Sequence, residues 1–176
     1  MSHLRPLDEA AFTRAVTQAR YLEGRWVYLK HVARFIEDLA PHTVLEIGVG
    51  PVRFVPGSAT LDIDPNVEPT YLRDAGVVPW PIPDGAFELV TGLQCWEHFE
   101  GSQAPAFLEA LRVAGPSGHV LLSLPYRWEN TTRAHRGIDE LRIREWTSGR
   151  HAVRRLHVEK PEHRQRLILL FRGEAC

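Results

Sequence analysis

In VLEIGVGPVRFVPGSATLDID, Glu46 interrupts an apolar run, Gly48 and Gly50 follow it, and Asp62 with Asp64 ends a second apolar run. A carboxylate inside an apolar strand is costly to bury unless something pairs with it. Two glycines directly after a strand allow a tight turn and a close approach of backbone to a ligand. An acidic residue at the end of the next strand can accept hydrogen bonds from both hydroxyls of a ribose. A Gly-x-Gly alone is equally a simple turn; the two acids favour a nucleoside site. Asp64 competes with Asp62 for the ribose, and Asp62 is preferred.

The spacing also narrows the nucleotide. A pyrophosphate cofactor uses a third glycine and the positive end of a helix. Here Arg53 stands at the third position, and Pro51 with Pro56 leaves room for at most one helical turn. S-adenosylmethionine has no phosphate. It needs close backbone, a ribose acceptor and an apolar slot for adenine, all of which a helix-free crossover can supply.

The elements that must position these residues follow from hydrophobic period and breakers. Asp8 can cap a helix bearing Phe12, Val16 and Ala19, interrupted at Gly24. A second helix carries Leu29, Val32, Ile36 and Leu39 on one stripe and stops at Pro41. Strands are expected over 43–47, 59–63, more weakly 69–75, then 87–93 after the Pro83-Asp84-Gly85 turn, and 119–125. Helices are expected over 103–113, ended by Gly115-Pro116, and over 137–146. Two closing strands, 152–158 and 166–171, form a hairpin across Lys160-Pro161-Glu162-His163. The pattern predicts an α/β, three-layer, Rossmann-like open sheet of about seven strands, mostly parallel, with an antiparallel hairpin strand. A single domain over 1–176 is expected, with a helical cap (1–41) before an α/β core (42–176).

Charge is nearly balanced, with 21 Lys and Arg against 22 Asp and Glu, so no basic excess points to nucleic acid. The arginines between Arg127 and Arg155 read as a solvated face. Two cysteines, Cys95 and Cys176, form no disulfide framework, and no signal peptide or spanning segment is legible, so a cytoplasmic protein is expected. The Asn130-Thr131-Thr132 pattern is then coincidental. His151, His157 and His163 recur at six-residue spacing, and we read them as the polar face of a hairpin rather than metal ligands.

Over residues 43–125 the chain resembles the class I S-adenosylmethionine-dependent methyltransferases, in a small bacterial type with a shortened crossover. VLEIGVG is similar to the family's first motif and LDIDPN to its second. RDAGVVPWPIPDGAFELV, LQCWEHF and LRVAGPSGHVLLSLP resemble the stretches that follow, in the same order. The resemblance implies strand order 3-2-1-4-5-7-6. It also implies that Gly48 and Gly50 border the methionyl part of the cofactor with Glu46 behind, that Asp62 holds ribose, and that Ile63, Asp74 and Ala75 surround adenine. Leu93 and Gln94 would floor the sulfonium, and the product would be S-adenosylhomocysteine.

Methyl transfer is an in-line displacement from an activated sulfonium, so positioning does most of the work. A base matters when the nucleophile is a hydroxyl or a charged amine. Candidates are His135, oriented by Asp139, and His98. Trp96, Tyr126, Arg127, Trp128 and Arg136 are expected to wall the acceptor. No separate substrate domain is visible, so the acceptor is a small molecule or is held partly by a second copy or a partner protein. The rival reading is a catalytically degenerate methyltransferase fold serving as a binding scaffold.

Overall fold

The computed structural model describes residues 2–16, 24–99, 101–127, 138–159 and 165–174. Helix α1 (Glu9–Val16) starts where Asp8 Oδ1 accepts from the Ala11 N–H at 2.7 Å, and it buries Phe12 and Val16. Helix α2 (Trp26–Leu39) buries Tyr28, Leu29, Val32 and Ile36 along one stripe. It ends at Ala40, whose left-handed backbone precedes Pro41.

The strands are β1 (Val44–Ile47), β2 (Ala59–Asp62), β3 (Tyr71–Leu72), β4 (Leu89–Leu93), β5 (His119–Tyr126), β6 (Arg154–Glu159) and β7 (Gln165–Arg172). They form one sheet in the order β3-β2-β1-β4-β5-β7-β6. The first five run parallel to one another, and β7 runs antiparallel to both β5 and β6. This is the order and mixture that the sequence led us to expect. Helices α3 (Gln103–Ala114) and α4 (Glu140–Trp146) complete the described elements.

Alternation along the strands divides the core. Val44, Leu89, Leu121 and Ile168 pack with α1 and α2, whereas Leu45, Val90, Leu122 and Leu169 pack with α3 and α4. Both sheet faces are thus covered, which is why the central strands read as continuous apolar runs.

Two differences from the sequence expectation have clear causes. The third strand is only two residues long, because just upstream the pairing passes to side chains. The Thr60 N–H donates to Thr70 Oγ1 and the Thr70 N–H to Thr60 Oγ1, at 3.1 and 3.0 Å. The fourth helix begins at Glu140, set by Asp139, whose Oδ1 accepts from the Arg142 N–H at 3.0 Å.

At the amino end of β5, glycines let backbones touch. A Cβ on Gly173 would overlap the Gly115 carbonyl, and the Gly173 N–H donates to the Gly118 carbonyl at 2.9 Å.

Candidate active site

The carboxyl ends of β1, β2 and β4 meet at the opposite end of the sheet, where strand order reverses and open α/β folds bind ligands. Residues 48–58, between β1 and β2, contain no helix. The buried Glu46, 3% exposed, organises this segment instead. Its Oε2 accepts from the Phe54 N–H, and its Oε1 accepts from the Val55 N–H and the Ser58 hydroxyl, at 3.0, 3.0 and 2.6 Å. Burial pushes the carboxyl above its ordinary range, and these three donors pull it back. The carboxylate inside the apolar strand therefore has its partners within the chain: it replaces a helix as the support of the glycine turn.

Beyond that support, Gly48 turns with φ +62° and donates to the Leu61 carbonyl at 3.0 Å. The Gly50 N–H reaches Asp62 Oδ2 at 3.2 Å, and Asp62 Oδ1 accepts from the Asp64 N–H at 2.9 Å. Asp64 is occupied elsewhere: its Oδ1 accepts from the backbone and side-chain N–H groups of Asn66, capping the Pro65–Val67 turn.

Two cavities flank the glycine turn and share Ile47, Gly48 and His98. One, about 420 Å³, is lined by Asp62, Ile63, Asp74 and Ala75. Its far wall is braced by α3. The Trp80 indole N–H holds the Ala75 carbonyl at 3.0 Å, and the Trp80 backbone N–H donates to Glu109 Oε1 at 2.6 Å. Burial raises the Glu109 carboxyl, but Arg112 and that N–H outweigh it and leave it below the usual range.

The other cavity, about 260 Å³, contains Leu93 and Gln94. Gln94 is held in a left-handed conformation at φ 60° by two bonds to Ser123, its backbone N–H to the carbonyl at 2.9 Å and its Nε2 to Oγ at 2.8 Å. Phe12, Arg25, Tyr28 and Leu29 close this cavity from the helical cap. Sequence reasoning missed these residues. The interruption at Gly24, just before Arg25, is the only local signal of a chain turning towards the sheet.

Behind this wall are Glu97 and Arg166, each 4% exposed. Burial raises the Glu97 carboxyl and lowers the Arg166 guanidinium, and the two charges partly counteract those shifts. Arg166 lies 5.3 Å from the Tyr28 ring centroid and hydrogen-bonds its hydroxyl. An arginine at the head of the apolar run RLILLF was the overlooked signal.

Several expected acceptor contacts lie elsewhere. Trp96 is fully buried in the core, packed on Gly92, where a Cβ would come within 2.9 Å of its ring. It lines neither cavity, which corrects its reading as acceptor wall. Tyr126 is also buried, facing α4, and its hydroxyl donates to Glu140 at 3.0 Å. It too lines neither cavity. Arg127 is exposed, with its guanidinium 5.1 Å from the Tyr126 ring centroid. Asp139 caps α4 through Oδ1. Trp128, His135 and Arg136 lie outside the described residues. Among the described residues no group of three or more His, Cys, Asp or Glu side chains is placed to hold a metal ion, and no helix is long and apolar enough to cross a membrane.

Close packing makes Gly48 a sensitive position. A Cβ there would sit 2.5 Å from the Cys95 Cβ, on a backbone that already disfavours side chains. Gly48→Ala should cost about 2–3 kcal/mol in chemical denaturation. Adding Cys95→Gly should recover part of this loss, whereas Cys95→Ala, which keeps the offending atom, should not.

This architecture is the class I S-adenosylmethionine-dependent methyltransferase fold. No family model and no curated protein sequence matches the chain. Among solved structures it is similar to a chain of the "complex between the Haloferax volcanii Trm112 methyltransferase activator and the putative methyltransferase" (TM-score 0.65, 14% identity, covering 94% of this chain and 96% of that one). It is also similar to Burkholderia thailandensis 1,6-didemethyltoxoflavin-N1-methyltransferase bound to 1,6-didemethyltoxoflavin and S-adenosylhomocysteine (TM-score 0.61, 16% identity, covering 97% and 95%). The cyclase SpnF shares the fold as well (TM-score 0.57, 14% identity, covering 76% and 75%).

Proposed function

We propose that the chain is an S-adenosylmethionine-dependent methyltransferase that moves a methyl group to an oxygen or nitrogen of a small acceptor. One observation carries this reading: two cavities share a single glycine turn at Gly48, with Asp62 in one and Gln94 in the other. That partition suits a ligand with a nucleoside half and an amino-acid half joined at sulfur. When bound, the cofactor supplies an electrophilic methyl group. The residues present fit it: Asp62 for ribose, Ile63, Asp74 and Ala75 for adenine, the backbone of Gly48 and Gly50 at the junction, and Leu93 and Gln94 under the sulfur. Glu46 acts one step removed, by holding the turn.

With the cofactor bound, these residues would hold an acceptor's lone pair in line with that methyl group. The chain's task is alignment. His98, which faces both cavities, is the described side chain best placed to take a proton from an acceptor that carries one. His135 with Asp139 is kept as a second assignment: Asp139 Oδ1 caps α4, and a carboxylate has further acceptor directions. We read residues 1–176 as one cytoplasmic domain. The Haloferax neighbour, bound to its activator, is the reason to look for a partner protein, and SpnF shows that this fold also serves other chemistry. Titration calorimetry with S-adenosylhomocysteine should give a dissociation constant of roughly micromolar order. No heat at millimolar ligand would leave the scaffold reading in place.

A further inference from the structure

The methyltransferase reading puts a nucleoside in the larger cavity, but what fixes that cavity's far wall lies outside it. The wall is the turn at residues 74–77, in a stretch between β3 and β4 that forms neither helix nor strand. The turn is tied mostly to itself. The Gly76 N–H donates to Asp74 Oδ1 at 2.8 Å, the Val77 N–H to the Asp74 carbonyl at 3.1 Å, and Arg73 Nε to the Val77 carbonyl at 3.2 Å. Such local bonds set the turn's shape, not its place.

The run that follows, VPWPIP, offers few further holds. Pro79, Pro81 and Pro83 have no N–H, which leaves only Val78, Trp80 and Ile82 with a backbone donor. The Trp80 N–H goes to Glu109 Oε1 on α3, at 2.6 Å. Arg112 grips that carboxylate in turn, with Nε at 2.9 Å from Oε2 and Nη2 at 2.6 Å from Oε1. The same guanidinium bonds to the Ile82 carbonyl at 2.9 Å and to Asp84. Trp80 therefore has one N–H anchored on α3, while its indole N–H holds the Ala75 carbonyl at 3.0 Å. The ring is rigid, 3% exposed and packed in the core, so a shift at Glu109 is passed to Ala75 rather than absorbed.

We infer that Glu109 and Trp80 are positioning residues for the nucleoside: neither lines the cavity, yet together they set where the Ala75 turn meets the base. The inference rests on the methyltransferase reading, which puts adenine against Ile63, Asp74 and Ala75. Adenine and hypoxanthine are nearly the same shape and differ at position 6, an amino donor against a carbonyl acceptor. Telling them apart requires the wall at hydrogen-bonding distance. A displaced wall still admits a flat ring but reads its edge poorly.

The test compares 5′-methylthioadenosine with 5′-methylthioinosine by titration calorimetry. The wild type should prefer the adenine form by about tenfold. Trp80→Phe keeps an aromatic ring and removes the indole N–H, and it should cut that preference to about twofold or less. Glu109→Ala should do the same, while Glu109→Gln, which keeps an oxygen for the Trp80 N–H, should restore part of it. Lost stability alone leaves the ratio unchanged, because both nucleosides bind the folded protein. A lowered melting temperature with undiminished preference in Trp80→Phe and Glu109→Ala would reduce the pair to a brace and overturn the inference. So would equal binding of the two nucleosides by the wild type, or no binding of either. Should both variants fail to fold, NMR of the wild type decides. The Trp80 indole N–H resonance should move when 5′-methylthioadenosine binds and move less with 5′-methylthioinosine; identical movement would overturn the inference. Failure of the methyltransferase reading looks different: S-adenosylhomocysteine does not bind, while the nucleoside pair still reports on the wall.

Discussion

Replacing Asp62 with alanine should abolish measurable binding of S-adenosylhomocysteine while leaving the protein folded. The carboxylate lies at the carboxyl end of β2, and its two oxygens accept only from the N–H groups of Gly50 and Asp64 among the described partners. A carboxylate has about four acceptor directions, so room remains for two ribose hydroxyls. Each charge-assisted bond is worth about 1.5–3 kcal/mol, so losing both predicts a weakening of roughly two to four orders of magnitude. The Gly50 and Asp64 N–H groups are only partly buried and can turn to water, which limits the structural cost to about 1 kcal/mol. Calorimetry and a thermal melt on the same sample separate the two effects. Asp64→Ala is the control: it should loosen the Pro65–Val67 turn and leave affinity within about threefold. An Asp62→Ala protein that binds as tightly as the wild type would remove the ribose assignment.

Glu46→Ala should do the reverse, damaging the fold first and binding as a consequence. Removing this carboxylate strands the buried N–H groups of Phe54 and Val55 and frees Ser58. Each orphaned donor costs about 1–3 kcal/mol, so a loss of roughly 4 kcal/mol is expected. In a chain of this size that is a fall of about 10 °C or more in melting temperature. Ser58→Ala removes one donor and leaves the carboxylate two others, so it should cost only about 1 kcal/mol. A melt of Glu46→Ala within about 2 °C of the wild type would show that the crossover is held by something else. The pair of variants distinguishes a residue that builds the turn from one that only borders it.

How much of this was legible beforehand differs by element. The strands and the helix-free crossover could be read because breakers and apolar runs are local: Pro51, Pro56 and the two-sided apolar strands carry their meaning in themselves, whereas the strand order came from the family resemblance. Glu46 was legible as an acid needing a partner, but the partner was not, because Ser58 meets it only when β1 and β2 lie side by side. Trp96 shows a different limit. An aromatic just after a strand can face ligand or core, and only Gly92, an isolated glycine in β4, hinted that a ring would lie against the backbone there. Arg25 and Tyr28 could not be found from motifs, because the cap reaches the cavity by docking across the sheet. Arg166 was visible as a charge entering an apolar run, yet its place beside Tyr28 depends on β7 and α2 packing face to face.

The glycine seam joining Gly115, Gly118 and Gly173 divides the molecule's freedom to change. Where main chains touch, even one methyl group has nowhere to go, so that pole of the sheet is closed to new side chains. Diversification is left to the opposite pole, where strand tips and the cap define the two chambers. Libraries aimed at altering what the protein accepts should therefore vary the strand tips and the cap and leave the seam untouched.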